Sequence, residues 1–241
     1  MGKIKNLLAT VACAALVMGC GGNGGGGPLV HDPVASAGIW SGTTTSGRAV
    51  LLATLSDGTF WALYSKIGTD EIAGMVQGTA SSAGNNFNSE DMLDFNYEGL
   101  GLRPAILDAT YSFRHSLNAV VRYSNEAVNF IANYIPSLGA DIGQIVGSYT
   151  AESSSGGDFS AADFTISTSG VIDGGRVGCT FTGTLTPRSD IDAFNLSLNF
   201  TGGACATASV SGIALFDGGQ LLATAVNPGR TSSFLLAGIR Q

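Results

Sequence analysis

The sequence predicts an all-β protein: an antiparallel meander with an eight-stranded barrel in its second half, a related β-rich first half and one short helix. Three observations lead there. The body from Gly38 to Gln241 is rich in Gly, Ser, Thr, Ala and branched aliphatics and poor in charge, a composition that favours strands joined by glycine-rich turns. No stretch carries a long heptad-like apolar stripe. Turn signals recur at short intervals, among them Ser56-Asp57-Gly58, Ser169-Gly170, Pro187 through Asp192, and Asp217-Gly218-Gly219. Strand therefore follows strand closely, and antiparallel pairing needs no crossover helix.

Taken in chain order, residues 1–19 read as a signal peptide. Lys3 and Lys5 precede an uncharged run over 7–18, too short to span a bilayer as a stable helix but suited to a signal-peptide core. The run ends in Val17-Met18-Gly19-Cys20, which resembles the lipobox of bacterial lipoproteins, with Met18 standing where a smaller residue is usual. The resemblance implies export, cleavage before Cys20 and acylation of that cysteine, so that the chain is a lipoprotein held on a membrane. Several acyl chains anchor far more firmly than one. Among such lipoproteins an aspartate after the cysteine marks inner-membrane retention. Gly21 stands there instead, which implies the bacterial outer membrane and leaves open whether the body faces the periplasm or the outside.

Residues 20–37 hold the lipidated cysteine and a tether, Gly21-Gly22-Asn23-Gly24-Gly25-Gly26-Gly27-Pro28, whose composition behaves as flexible coil. The body divides into a β-rich N-terminal lobe at 38–136 and a barrel-like C-terminal lobe at 137–241. Strands are expected in the first over 38–44, 49–55, 59–65, 72–80, 92–97 and 105–113. In the second they are expected over 145–151, 163–167, 176–186, 193–201, 209–216, 221–226 and 233–239. The stretch from Leu117 to Ile135 fits either strand or helix. Ser137 is a candidate helix cap after Pro136, with Leu138, Ile142, Ile145 and Val146 at one-face helical spacing.

Two echoes point to internal duplication. Gly38-Ile39-Trp40-Ser41-Gly42-Thr43 is matched by Gly147-Ser148-Tyr149-Thr150-Ala151, and Val76-Gln77-Gly78-Thr79 by Phe181-Thr182-Gly183-Thr184, at nearly the same offset. Glycine-containing motifs also recur by chance in a chain with 35 glycines, so true duplication and coincidence stand about level. If the duplication is real, each half is one sheet-based lobe.

Removing Lys3 and Lys5 from 11 basic residues leaves 9 against 18 acidic ones, a formal charge of −9 for the mature chain. The scattered arginines form no basic stripe, so nucleic acid is not an expected partner. Of four cysteines, Cys13 leaves with the signal and Cys20 takes lipid. Cys179 and Cys205 remain, and two leftover thiols in an oxidising compartment pair as a disulfide more readily than they stay free. A metal site on them lacks partners, because the two histidines, His31 and His115, lie far away in sequence.

Catalytic chemistry is thinly supplied. His31 sits in the tether, and His115 sits beside Arg114 and Ser116 with no nucleophile-elbow pattern near it. Glu90, Asp91 and Asp94, beside Asn85, Asn86 and Asn88, are the densest oxygen-ligand cluster. They lack the glycine and bidentate glutamate spacing of a calcium loop, so a solvated polar loop is the better reading. No cofactor and no metal is expected. Aromatic residues are the remaining lead: Trp40, Phe60, Trp61, Tyr64 and Tyr149 fall on expected strands, where Phe60, Ala62 and Tyr64 share one face and Trp61 and Leu63 the other. They suit a core, a barrel mouth or a partner-binding patch.

A lipidated cysteine, a glycine-rich tether and β-rich lobes opening on Gly-x-Trp/Tyr-x-Gly/Ala are together similar to the Gram-negative surface lipoproteins that bind host proteins, such as transferrin-binding protein B and factor H binding protein. That resemblance is one of architecture and assigns no binding residue. The expected function is a membrane-anchored envelope module that binds or supports, with the membrane engaged through Cys20 and a protein or small apolar ligand as partner. The alternatives are a lipocalin-like carrier of a small apolar ligand and an envelope hydrolase using His115. An apolar-lined cavity favours the carrier, a filled barrel with an exposed aromatic patch favours a protein partner, and the hydrolase needs a serine or carboxylate at His115.

Overall fold

The computed structural model describes residues 36–136 and 139–241, so Cys20, His31, Ser137 and Leu138 lie outside the described residues. It contains two antiparallel barrels in series. The first is built from β1 (Gly38–Thr44), β2 (Ala49–Thr54), β3 (Thr59–Ser65), β4 (Ile72–Thr79), β6 (Asn86–Asn96), β7 (Gly101–Ser112), β8 (Ser116–Arg122) and β9 (Ala127–Ile135). β1 pairs with β9, and β4 pairs with β6, which closes the ring; the short β5 (Ser81–Ala83) is appended to β6. The second barrel runs β10 (Gly147–Ser155), β11 (Asp158–Ile166), β12 (Val171–Arg176), β13 (Cys179–Pro187), β14 (Phe194–Thr201), β15 (Ser209–Asp217), β16 (Gln220–Val226) and β17 (Ser233–Arg240), with β17 returning to β10. Closure leaves neither sheet a free long edge.

The all-β reading and the barrel in the second half hold. The first half goes further than a related β-rich lobe, since it closes into an eight-stranded barrel as well. The ambiguous stretch after Leu117 forms β8 and β9, and β12 follows the Ser169-Gly170 turn signal where no strand was expected before residue 176. The helix is a single turn, α1 (Ile142–Ile145), capped by the Asp141 carboxylate, which accepts from the Gly143 N–H at 3.0 Å. Ile145 drops from it into the end of the second barrel.

Both echoes occupy corresponding strands. Trp40 and Tyr149 lie on the first strand of each barrel, both fully buried, and Val76 and Phe181 lie on the fourth. Each barrel has its own core of inward-facing side chains. A third apolar cluster lies between them, where outward residues of β2 to β4 (Leu51, Trp61, Leu63, Met75) meet outward residues of β15 to β17 (Ile213, Leu215, Leu222, Leu235). Those strands are apolar on both faces because both faces are covered.

Polar ties rim this seam. Tyr97 donates to the Ser233 hydroxyl at 3.1 Å, and Arg230 reaches Asp91 at 3.0 Å as well as the Gln77 and Asp91 carbonyls. Asp190 accepts from the Ser56 N–H at 2.8 Å and is gripped by Arg188 at 2.9 and 2.8 Å. Burial opposes charge on Asp190, but these hydrogen bonds outweigh it and hold the carboxyl below the usual carboxylate range.

Candidate ligand-binding cavity

The two barrels differ inside. In the second, Phe181, Phe200 and Phe234 pack edge to face with centroids 5.2 to 6.1 Å apart, Tyr149 stacks on Phe164 at 4.6 Å, and the interior is filled. The first encloses a cavity of about 400 Å³. Trp40, Phe87, Tyr111 and Leu117 fill its far end. The near end is open between the turns that follow β1, β3, β6 and β8, with Thr45, Ile67, Leu100 and Glu126 at the lip. Ile67 and Leu100 are 58% and 61% exposed there.

Sequence differences account for the hollow. Where the second barrel places Phe181, the first has Val76, and the inward neighbours of Val76 on β4 are glycines. A methyl group on Gly78 would meet the Phe60 ring at 2.6 Å, and one on Gly74 would overlap the Tyr64 hydroxyl. The two glycines thus let Phe60 and Tyr64 lie flat along the wall instead of crossing the lumen.

The cavity floor is apolar, made by Val50, Leu52, Phe60, Val76, Met92, Leu107 and Phe130. One polar cluster interrupts the wall near the mouth. Asp94 on β6 stands opposite Val76 on one side and Arg103 on the other. The residue is 2% exposed. Its Oδ1 accepts from the Tyr64 hydroxyl at 2.7 Å and its Oδ2 from the Tyr123 hydroxyl at 2.8 Å, while Asn96 Nδ2 donates to the Tyr64 oxygen at 3.1 Å. Arg103 lies over the Tyr123 ring at 3.8 Å and pairs with Glu126 at 2.6 Å. Arg48 lies over the Tyr64 ring at 5.6 Å and pairs with Glu98 at 2.7 Å.

Burial raises the Asp94 carboxyl above its ordinary range, and the hydrogen bonds from Tyr64 and Tyr123 and the charges of Arg103 and Arg48 only partly offset it. The Tyr64 and Tyr123 hydroxyls are raised too, first by burial and then by the Asp94 charge, so both remain protonated donors. The arrangement offers an apolar chamber with one hydrogen-bonding wall near its entrance.

The residues singled out from sequence separate accordingly. Phe60, Ala62 and Tyr64 line the cavity, Trp61 and Leu63 face the other barrel, and Trp40 and Tyr149 are core. The polar run around Asn86 is a strand rather than the solvated loop expected, for β6 starts at Asn86. Its carboxylates diverge: Glu90 is exposed, Asp91 ties to Arg230, and Asp94 turns inward. No group of three or more possible metal ligands occurs among the described residues.

Cys179 and Cys205 form a disulfide across 26 residues, pinning the β14–β15 loop to the start of β13. His115 is exposed on the turn between β7 and β8, at the end of the barrel away from the mouth. Sequence reasoning missed Arg48, Asn96, Arg103 and Tyr123. The available signal was Met92, Asp94 and Asn96 in alternation, a carboxylate on the inward face of a strand.

No protein-family model and no curated protein matches this chain. Among solved structures it is similar to the isotype 1 transferrin binding protein B from serogroup B Neisseria meningitidis, at 9% identity and a TM-score of 0.30. The match covers 81% of this chain and 66% of the other, so the chain spans just under two thirds of that protein's solved length. A likeness at that level transfers no residue and no role.

Proposed function

We propose that this chain is an outer-membrane envelope lipoprotein, anchored through lipid on Cys20, whose first barrel binds a small, largely apolar molecule and whose second barrel supports it. The reading rests above all on the 400 Å³ chamber in one of two otherwise corresponding barrels. That size is typical of small-molecule sites, and its apolar floor with few polar groups is their usual make-up. A protein partner for the filled second barrel has less support, for its exposed large hydrophobics are Val171, Val177 and Ile239, none of them aromatic, whereas Phe113, Leu102, Ile106 and Ile131 are exposed on the first barrel. A hydrolase built on His115 has no support from the cavity, because His115 does not line it.

The polarity of the barrel fits an anchored carrier. Ser36 bonds the Ser82 hydroxyl at 2.8 Å, and its carbonyl accepts from Thr54, both at the end away from the mouth. Ser36, the first described residue, thus lies at the end of the barrel opposite the opening.

The test is saturable binding of a neutral fluorescent probe, N-phenylnaphthylamine, to the purified chain. We expect one site, lost in Val76→Phe while the far-ultraviolet circular dichroism is unchanged. Absence of saturable binding, or binding that survives Val76→Phe, overturns the carrier reading. Intact mass of protein extracted from membranes tests the anchor: acyl mass on Cys20 with residues 1–19 removed is expected, and an unmodified Cys20 refutes it.

A further inference from the structure

Deepening the carrier reading and resting on it, we infer that the chamber selects an amphiphile with an uncharged head group that both donates and accepts hydrogen bonds, a hydroxyl or an amide, over acids and amines with the same tail. The tail lies on the apolar floor, and the head meets the Asp94–Tyr64–Tyr123 cluster near the mouth.

The argument is one of charge and of remaining hydrogen-bonding capacity. Every full charge around the head-group position is already committed: Arg48 to Glu98 at 2.7 Å, Arg103 to Glu126 at 2.6 Å, and Asp94 to two tyrosine hydroxyls at 2.7 and 2.8 Å. A carboxylate head would be brought against the Asp94 carboxylate, and although Arg103 keeps N–H groups for it, the Arg103 charge is already shared with Glu126 and Asp94. An ammonium head would be brought against Arg48 and Arg103. Either ion would lose water without gaining an unshared counter-charge, and uncompensated burial of charge is heavily disfavoured.

An uncharged head meets no such penalty. The Tyr123 oxygen donates to Asp94 and keeps lone pairs to accept from a ligand, while Arg103 has guanidinium N–H groups beyond the one that holds Glu126. Donor and acceptor therefore sit side by side on the wall facing the lumen, which matches a hydroxyl or amide and leaves a purely apolar terminus unpaired. A site built to hydrogen-bond a head group discriminates strongly against ligands that leave its polar groups unsatisfied.

The experiment displaces N-phenylnaphthylamine from the purified full chain at neutral pH with decanol, decanoate and decylamine, which share one tail and differ in head. We expect decanol to displace at concentrations about ten-fold or more below the other two, a difference of about 1.4 kcal/mol. In Tyr123→Phe that preference should shrink, each displacement being referred to the probe affinity measured for the variant itself. Decanoate or decylamine competing as well as decanol overturns the head-group assignment, as does an unaltered preference in Tyr123→Phe. If none of the three displaces a probe whose binding is abolished by Val76→Phe, the chamber stands and the assignment falls. If the probe does not bind, the carrier reading falls and takes this inference with it.

Discussion

Asp94 is a carboxylate whose surroundings set its proton affinity more than its own chemistry does. Burial raises its pKa in the folded chain above the unfolded value, so its contribution favours the fold at low pH and is lost as pH rises through the folded-state pKa. Carbon-detected titration should place the Asp94 carboxyl midpoint above those of the exposed aspartates. In Tyr64→Phe the midpoint should move further up, because a hydrogen bond that stabilises the charged form is gone. A downward move would show that Tyr64 is not what holds the charge. Gly74→Ala should act on the same group from behind. The added methyl displaces the Tyr64 hydroxyl, at a cost of about 1 to 3 kcal/mol in thermal or denaturant unfolding. This much was half legible from sequence. The pattern Phe60, Ala62, Tyr64 announced a shared face, and Asp94 between Met92 and Asn96 announced a polar residue on an apolar one. That two tyrosines distant in sequence share one carboxylate is a product of closure, and no local pattern encodes closure.

At the scale of elements, strand identity was written in turns and composition, whereas strand limits and sheet closure were not. β2, β3, β4, β15, β16 and β17 read as near-continuous apolar runs because one face meets the core of their own barrel and the other meets the neighbouring barrel. Period-2 alternation, the usual strand signal, is erased there by covering. β6 failed in the opposite sense, since Asn86 to Asp91 reads as loop, yet the strand bulges between Ser89 and Met92 and keeps pairing through it. The disulfide is a device of this scale. Replacing Cys179 and Cys205 together by serine should cost about 3 kcal/mol, read as a lowered unfolding midpoint in denaturant, by freeing the loop that it closes in the unfolded chain. An unchanged midpoint would mean that the β14–β15 loop is held without the bond.

At the scale of the molecule, the seam makes two barrels one unit. Trp61→Ala, which empties a site in the seam without touching either lumen, should cost about 3 to 5 kcal/mol, seen as a single calorimetric transition moving down in temperature. Two separated transitions in the native chain would show that the barrels unfold independently. Acid should act at the rim of the same seam. Asp190 has a depressed pKa, so its stabilising contribution is present above the unfolded carboxyl's pKa and is lost as pH falls through the folded-state value. Asp190→Asn should therefore flatten the fall of unfolding temperature on acidification, and an unchanged acid limb would place that dependence elsewhere.

The seam also divides the hollow barrel into a braced side and a free side. β2, β3 and β4 are backed by the neighbouring barrel, while the outward faces of β7, β8 and β9 are largely open to water. A wall clamped along half its circumference yields along the other half. Whatever enters the lumen must be accommodated by strands that breathe on the unsupported flank, and amide hydrogen exchange should run fastest there and slow most when the lumen is occupied.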